Sequence, residues 1–552
     1  KSNTKVNIAF EGIDHRIVPV ELDLGGYFSI EVLEDRLIYW RKSPKPLKPI
    51  KSWNKHGEGL HLGHVMFEDS KTEIFHKNVS AYALSFDGKS ILINSKGKLR
   101  LISSKETPKS GTESNKKDGW IDLGRVQFKI DPKKEWAQMY REAWVLQREH
   151  FWTECLSGID WSKVYKQYLP LLERIKTRWE MSDLLWEMQG ELGTSHCYEM
   201  FGDYPKRPPH HPIGRLGAKF EWNQRRNELK ILEIFKGDSW INGADSPLHG
   251  IGSGLKVGDC LLALDGEKLV SGLHLYELLE SKASKKVNLL VRRKGKRKTE
   301  EICIKTLSSN TKALYRQWVN KNKEYVHKKS GGKLGYVHIP DMGVAGYSEF
   351  HRNFLSEIRH EGLVIDVRYN GGGHVSQHLI KTLAQKVLAF NLSRYHGESR
   401  YPSYAVPGAL VAVTNEHAGS DGDIFSHAFK LMKLGALVGK RTWGGVIGIN
   451  SQYRLKDGTL TTQPEYSFWF KDVGFAVENY GTDPDIEVEI LPQDWAKGLD
   501  PQIDKAIEVA LTDLNQNPPI KPDFSKRPNL SRPAIKSLKP QSKLSHKSKA
   551  SS

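Results

Sequence analysis

Four short segments carry residue types suited to acyl-transfer chemistry. Ser420 stands in Gly419-Ser420-Asp421-Gly422-Asp423, after an apolar run ending at Val413-Thr414 and before a helical stretch. A serine at a sharp strand-to-helix turn is held exposed as a nucleophile, and the N–H groups beside it can hold an oxyanion. The surrounding residues are not G-x-S-x-G, and Ser420 taken alone reads first as a helix cap. Asn370-Gly371-Gly372-Gly373 follows the run Val364–Arg368. Its glycines let backbone N–H groups approach a ligand closely. It matches no phosphate-loop pattern, so a nucleotide site is disfavoured. Gly193-Thr194-Ser195-His196 ends a helical segment, and His196 is a candidate general base, although a lone histidine is more often structural. Glu478, in Val477-Glu478-Asn479-Tyr480-Gly481, can orient that base directly or through a hydroxyl. Each segment alone says little. Together they supply a nucleophile, a base, an orienting acid and backbone donors.

Several kinds of element must position these groups. Residues 1–130 read as short strands broken by turns, with Phe28–Leu33, Arg36–Trp40, Ala81–Phe86 and Ile91–Asn94 separated by Asp87-Gly88 and Lys96-Gly97. The unit Ala83–Asn94 followed by Gly97–Ile102 resembles a β-propeller blade, and two or three blades fit. A polar loop is expected over 103–118. Pro132 to about Leu192 turns helical, with Trp136, Met139, Tyr140, Ala143, Trp144 and Leu146 on one apolar face. Further helices are expected over Trp161–Tyr168, Leu171–Thr177 and Ser182–Leu192, the last with a helix-start signature at Ser182. Strands return between Gly214 and Leu307. There Ser253-Gly-Leu-Lys-Val-Gly-Asp-Cys-Leu-Leu-Ala-Leu-Asp-Gly-Glu resembles the signature of PDZ domains, with Leu273–Ser284 as the groove helix. Such a groove binds by adding a peptide strand to a sheet edge. The candidate loop at its head, Arg215–Phe220, matches that family's pattern only in part, and a packing module that binds no peptide stays open. Residues 311–515 alternate apolar strands and helices, which predicts a parallel or mixed sheet with covered faces.

The 552 residues, 38% hydrophobic and with 15 Trp, hold enough apolar material for several cores, which excludes global disorder. No run of about 18 apolar residues is present, so a spanning helix is not expected. Cys155, Cys197, Cys260 and Cys303 form no C-x-x-C pair, so neither a disulfide scaffold nor a thiolate zinc site is expected. His61-x-x-His64 and His210-His211 are not H-E-x-x-H, which argues against a metal hydrolase. The net charge is +18, of which +8 falls between Lys521 and Ser552 in a Pro/Ser/Lys-rich tail, 516–552, expected to be disordered, and the rest is spread along the chain. A basic tail can touch nucleic acid, yet no nucleic-acid fold or aromatic-basic motif accompanies it. The chain begins at Lys1 in what reads as the middle of a domain, so a longer protein is expected, and targeting signals cannot be read from this chain.

The motifs G-T-S-H, D-V-R-Y-N-G-G-G, T-N-E-H-A-G-S-D-G-D, R-T-W-G-G and V-E-N-Y-G-x-D-P-D occur in that order. With them the chain, from about 80 to 515, resembles the tricorn protease family, serine peptidases related to carboxyl-terminal processing (tail-specific) proteases. The resemblance implies a multidomain fold. Residues 1–130 would be C-terminal blades of a β-propeller, 131–205 a helical catalytic subdomain, 210–307 a PDZ β-sandwich-like domain, and 311–515 an α/β catalytic subdomain. It implies Ser420 as nucleophile, His196 as base, Ser195 orienting His196, and Glu478 holding the Ser195 hydroxyl. The oxyanion donors would be the N–H groups of Gly373 and Asp421. An intervening hydroxyl supports the imidazolium less than a direct carboxylate, so modest turnover on small substrates is expected. The family's pocket Asp, which favours Lys or Arg before the scissile bond, is matched by Asn391, so broader or more apolar specificity is expected. No cofactor is implied. Peptide substrates, a homo-oligomer (a hexamer in the archetype), downstream aminopeptidases and a cytoplasmic location are implied; membrane and nucleic-acid partners are not. The competing reading is a non-catalytic peptide-binding scaffold of PDZ and propeller parts on the same fold.

Overall fold

The computed structural model describes residues 8–532, apart from 18, 23–24, 43–59, 106–115, 206–207, 251 and 272–274. The chain divides into two units, Lys1–Asp131 and Pro132–Ser552.

The first unit holds two four-stranded antiparallel sheets. One is β1 (Gly26–Val32), β2 (Arg36–Lys42), β3 (Leu60–Met66) and β4 (Thr72–Lys77). The other is β5 (Val79–Leu84), β6 (Ser90–Ser95), β7 (Lys98–Ser103) and β8 (Trp120–Ile121). Each is a meander in sequence order. Alternating side chains, among them Ile38, Leu62, Phe75, Ile91 and Ile93, are buried in one apolar cluster. Most of the polar loop expected over 103–118 lies outside the described residues.

The second unit opens with helices α1 (Pro132–His150), α2 (Trp161–Tyr168) and α3 (Arg178–Gly190). Met139, Tyr140, Ala143, Trp161, Leu185 and Met188 pack into one core, as the helical spacing predicts. Two boundaries differ from expectation. The stretch from Leu171 forms only a 3-10 turn, Leu169–Glu173. Helix α3 begins four residues before Ser182, because Thr177 and Glu180 form a capping box: the Thr177 hydroxyl accepts from the Glu180 N–H, and the Glu180 carboxylate accepts from the Thr177 N–H. Ser182 lies inside the helix and donates to Glu199.

After β9 (Glu199–Met200) comes a sheet in the order β10 (Ala218–Asn223), β11 (Glu228–Ile234), β12 (Cys260–Leu264), β14 (Lys286–Arg292), β15 (Thr299–Lys305), with β13 (Glu267–Lys268) beside β12. Its helix α4 spans only Leu275–Leu278; Leu273 lies outside the described residues, and Ser281 and Ser284 take positive φ, which stops the helix short of the expected Ser284. Glu233 of β11 accepts from Lys321 and Gln317 of the following helix and pairs with Lys219, and these donors, Lys321 first, hold its carboxyl down at about 2.

The remaining elements build a five-stranded parallel sheet in the order β16 (Leu334–His338), β17 (Gly362–Asp366), β20 (Leu410–Thr414), β21 (Ala436–Gly439), β25 (Ile486–Glu487). Every residue of β16, β17 and β20 is buried, and alternate side chains enter two different cores. Val337, Ile365, Ala412 and Leu437 meet α6 (Val344–Glu357), α7 (Ser376–Leu383) and α8 (Asp421–Leu431). Tyr336, Val364, Val411 and Val438 meet α5 (Thr311–Lys329) and α10 (Pro501–Gln516). A hairpin of β18 (Ala389–Ser393) and β19 (Gly397–Tyr401), the short strands β22 (Gly448–Ile449), β23 (Leu460–Thr461) and β24 (Pro464–Tyr466), and α9 (Pro492–Lys497) complete the unit. Residues 517–532 form neither helix nor strand; the rest of the tail lies outside the described residues. Among the described residues no helix is long and apolar enough to cross a membrane.

Candidate active site

The carboxyl ends of adjacent parallel strands are where an open α/β sheet presents a ligand site. Here the glycine loop follows β17 and the Ser420 turn follows its neighbour β20. Asn370 ties the two together. Buried completely, it donates from Nδ2 to the Ile339 carbonyl (2.8 Å), accepts at Oδ1 from the Gly372 N–H (2.9 Å), and accepts at its carbonyl from the Gly419 N–H (3.0 Å). The packing tolerates only glycine at 372, where a Cβ would sit 2.4 Å from the Ser420 Cβ.

Ser420 is the N-cap of α8 by position, but its side chain makes no capping bond. Its backbone sits at φ 57, ψ −122, a strained conformation of the kind that costs on the order of 1–3 kcal/mol and concentrates at functional sites. The Oγ lies 3.1 Å from Nε2 of His196. The side chain thus faces the imidazole rather than the N–H groups of its own helix.

His196 enters from the loop between α3 and β9, and it too has positive φ, 66°. Thr462 fixes the loop: its hydroxyl donates to the His196 carbonyl (2.5 Å) and accepts from the Tyr198 N–H (2.8 Å), while β9 pairs with β23. Behind this pairing, buried Arg178 of α3 binds Glu199 (2.6 Å) and Asp457 (2.7 Å). The imidazole is buried against Tyr198 and the edge of Trp443. Burial pushes its pKa below the ordinary histidine value, while the nearby Glu478 carboxylate pulls it up. The net direction keeps the ring neutral near neutral pH, as a base requires.

Nδ1 of His196 lies 2.7 Å from Ser195 Oγ. With the proton on Nδ1, Ser195 accepts and Nε2 is left to accept from Ser420. Glu478 is brought to this cluster differently from expectation. Its Oε1 accepts from the backbone N–H of Ser195 (2.7 Å) rather than from the hydroxyl, and its Oε2 accepts from the N–H groups of Val446 (2.7 Å) and Ile447 (3.0 Å). The reason is local. The turn at Glu478-Asn479, where Asn479 has φ 61° and donates to the Gly193 carbonyl (2.6 Å), aims the carboxylate between two backbone segments.

The N–H groups of Gly373 and Asp421 have no acceptor among the described residues. Gly373 is at φ 150°, and a Cβ there would meet the Met342 carbonyl at 2.1 Å. The Asp421 carboxylate accepts from the Ser376 N–H (2.9 Å) and hydroxyl, so it pins the start of α7 to the start of α8. Both N–H groups border a cleft of about 350 Å3 that His196 and Ser420 also line. Its apolar wall is Ile424, Val446, Ile447, Ile449, Tyr466 and Phe468.

Asn391 does not line this cleft. It stands exposed in β18, paired with Ser399 across the hairpin, beyond the end of α7. Its neighbour Phe390 lines a separate cavity with Leu383 and Ile520.

Several residues went unnoticed in the sequence. Asp423, fully buried, accepts from the N–H groups of Gly444 (2.7 Å) and Gly445 (3.2 Å) and thereby holds the strip that reaches Val446. Burial raises its carboxyl above the ordinary value, against the pull of Thr442 and these N–H groups. Its signal was the second acid in Ser420-Asp-Gly-Asp. Thr462 and Ser376 carried none.

Known proteins share this arrangement of parts. The profile of the tricorn protease C1 domain matches residues 132–190, that of the tricorn protease PDZ domain 214–309, and that of peptidase family S41 333–488. A protein of Sulfurisphaera tokodaii, named as a tricorn-like protease C-terminal subunit, is 44% identical over 93% of this chain and 58% of its own length. The tricorn protease homolog of Saccharolobus solfataricus is 42% identical over 93% of this chain and 47% of its own. The crystal structure of the tricorn protease superposes with a TM-score of 0.82 at 35% identity, over 90% of this chain and 47% of that one. The chain spans about half the length of the curated relatives it matches. With three successive profiles, relatives of this identity and a shared architecture in agreement, the chain belongs to the tricorn protease family.

Proposed function

We propose that the chain is a serine endopeptidase that cleaves oligopeptides through an acyl-enzyme. The observation that carries this is the file Ser195 Oγ–His196–Ser420 Oγ, at 2.7 and 3.1 Å, beside two unpaired N–H groups in an open cleft. Ser420 Oγ attacks the scissile carbonyl carbon as its proton passes to His196 Nε2. The negative charge on the carbonyl oxygen falls to the N–H groups of Gly373 and Asp421. Ser195 Oγ accepts from Nδ1–H and fixes the tautomer. His196 then protonates the leaving amine, the C–N bond breaks, and a water deprotonated by the same ring releases the acyl group. Glu478 is a positioning residue: its carboxylate holds the backbone of Ser195 and of the cleft strip together.

The apolar wall of the cleft supports apolar side chains beside the scissile bond. No acid is among the residues that select it, apart from Asp421, whose carboxylate is engaged by Ser376. The two meanders of the first unit are read as blades of a propeller, and the basic tail as a solvated appendage. A hexameric assembly, a position downstream of a larger protease and upstream of aminopeptidases, and a cytoplasmic location belong to the same reading. The test is hydrolysis of internally quenched peptides by the wild-type chain and by Ser420→Ala. Equal rates would reject Ser420 as nucleophile.

A further inference from the structure

At the β16 edge of the parallel sheet, where the end of α5 on one face meets the end of α6 on the other, three groups converge that the peptidase reading does not use. His327 lies in the last turn of α5, Glu357 ends α6, and His360 follows it on the way into β17. One ligand atom from each lies within 4.8 Å of the others. Glu357 is buried, with its Oε2 2.7 Å from His327 Nε2 and 3.8 Å from His360 Nε2. Two imidazoles and one carboxylate are a ligand set that suits Zn2+, with a fourth position left for water.

The surroundings orient the donors as a metal requires. His360 Nδ1 lies 2.7 Å from the Gly332 carbonyl, which can only accept. The proton is therefore on Nδ1, and the Nε2 lone pair faces the cluster. This is the outer-shell contact that usually fixes a ligating histidine. The same Gly332 donates its N–H to the His327 carbonyl (2.8 Å), so one turn braces both imidazoles. The carboxylate is braced too, since Oε2 accepts from the Tyr336 N–H of β16 (3.1 Å) and Oε1 from Lys323 (3.2 Å). Lys323 thus occupies the far oxygen and leaves Oε2 to the histidines. Ligand atoms about 2.0–2.1 Å from a tetrahedral zinc are about 3.3 Å apart. The observed 2.7 and 3.8 Å to the carboxylate bracket that value, and the two imidazoles, whose ligand atoms lie within 4.8 Å of each other, close toward it when the ion is seated. The histidine side chains are 31% and 23% exposed, which leaves a way in from solvent.

We propose that His327, Glu357 and His360 form a binding site for a divalent transition cation of the Zn2+ class, which clamps the end of α5 to the end of α6. The ion takes the place of the direct His327 Nε2–Glu357 Oε2 contact. It lies outside the Ser420 cleft and takes no part in peptide hydrolysis. No sequence motif announces it, because one ligand lies thirty residues before the Glu-x-x-His pair.

The probe is Co2+, titrated into the full chain after chelator treatment and dialysis, with visible absorption and thermal unfolding as readouts. The expected result is a saturable band at one equivalent, displaced by Zn2+, with a raised Tm. His327→Gln and His360→Gln should each lose the band and weaken binding by about tenfold or more. His327→Gln without metal should hydrolyse peptides at the wild-type rate. Should His360→Gln not fold for want of its Gly332 contact, His327→Gln carries the test, since it leaves that contact in place. A wild-type chain with no saturable band overturns the proposal. So does a band unchanged in both variants, which would put the cation among the chain's other histidines and cysteines.

Discussion

Replacing Glu478 by Gln separates the bonding seen in the structure from a relay through the Ser195 hydroxyl. The carboxylate serves three donors, all of them backbone N–H groups: Ser195 at 2.7 Å, Val446 at 2.7 Å and Ile447 at 3.0 Å. An amide of the same shape offers one acceptor oxygen. The cheaper orientation keeps that oxygen on Val446 and Ile447 and turns the NH2 toward the Ser195 N–H, donor against donor. A hydrogen bond to a charged group contributes about 1.5–3 kcal/mol, and a buried donor left unpaired costs about 1–3 kcal/mol. Glu478 is only half-buried, which favours the lower part of the range. At 1.36 kcal/mol per decade, a loss of about 1.5–3 kcal/mol is a ~10- to ~150-fold drop in kcat/KM. The pH profile adds a second readout. The Glu478 charge raises the His196 pKa against the lowering effect of burial, so its removal moves the acid limb further down. The assay is kcat/KM on a quenched apolar peptide from pH 4 to 8, for wild type, Glu478→Gln, Ser195→Ala and the double variant. Independent roles predict a double variant worse than either single one. A double variant no worse than Ser195→Ala would show that Glu478 acts through the hydroxyl and would refute the reasoning. An acid limb that rises in Glu478→Gln would do the same.

Five other outcomes are expected. His196→Ala should lose on the order of 10^4–10^6-fold in kcat, as members of a serine-hydrolase triad do when removed. Wild-type activity should rise with pH through a midpoint below the ordinary histidine value of 6.5; the neutral ring is the active form, so a lowered pKa moves the limb to lower pH. Gly373→Ala, with its Cβ 2.1 Å from the Met342 carbonyl, should displace an oxyanion donor and cost about 10^2–10^3-fold in kcat, with KM changed less. Arg178→Met leaves Glu199 and Asp457 buried without a cation and should cost about 3–5 kcal/mol in urea unfolding. Product mapping by mass spectrometry should place cleavage after apolar residues; cleavage only after Lys or Arg would contradict the cleft wall.

The apolar runs at 334–338, 362–366 and 410–414 announced a covered parallel sheet because both faces of each strand are buried, and burial on both faces leaves no polar alternation to misread. Helix ends were harder. Ser182 has the composition of a cap, but Thr177 and Glu180 satisfy each other's N–H groups, and that reciprocity fixed the start of α3. The residue types of the site were legible in four short motifs, whereas their bonding was not. Whether Glu478 takes a hydroxyl or an N–H depends on the Asn479 turn, and the brace that holds His196 comes from Thr462, more than 260 residues away. Asn391 matched a family position, yet the hairpin carries it out of the cleft of its own chain.

The central claim is that Ser420 is an activated nucleophile with His196 as its base. Labelling with a fluorophosphonate probe, followed by peptide mass mapping, tests it most directly. The account predicts one stoichiometric adduct, on Ser420, that disappears in His196→Ala. A folded chain that takes no label, or that labels Ser420 equally well without His196, would contradict it.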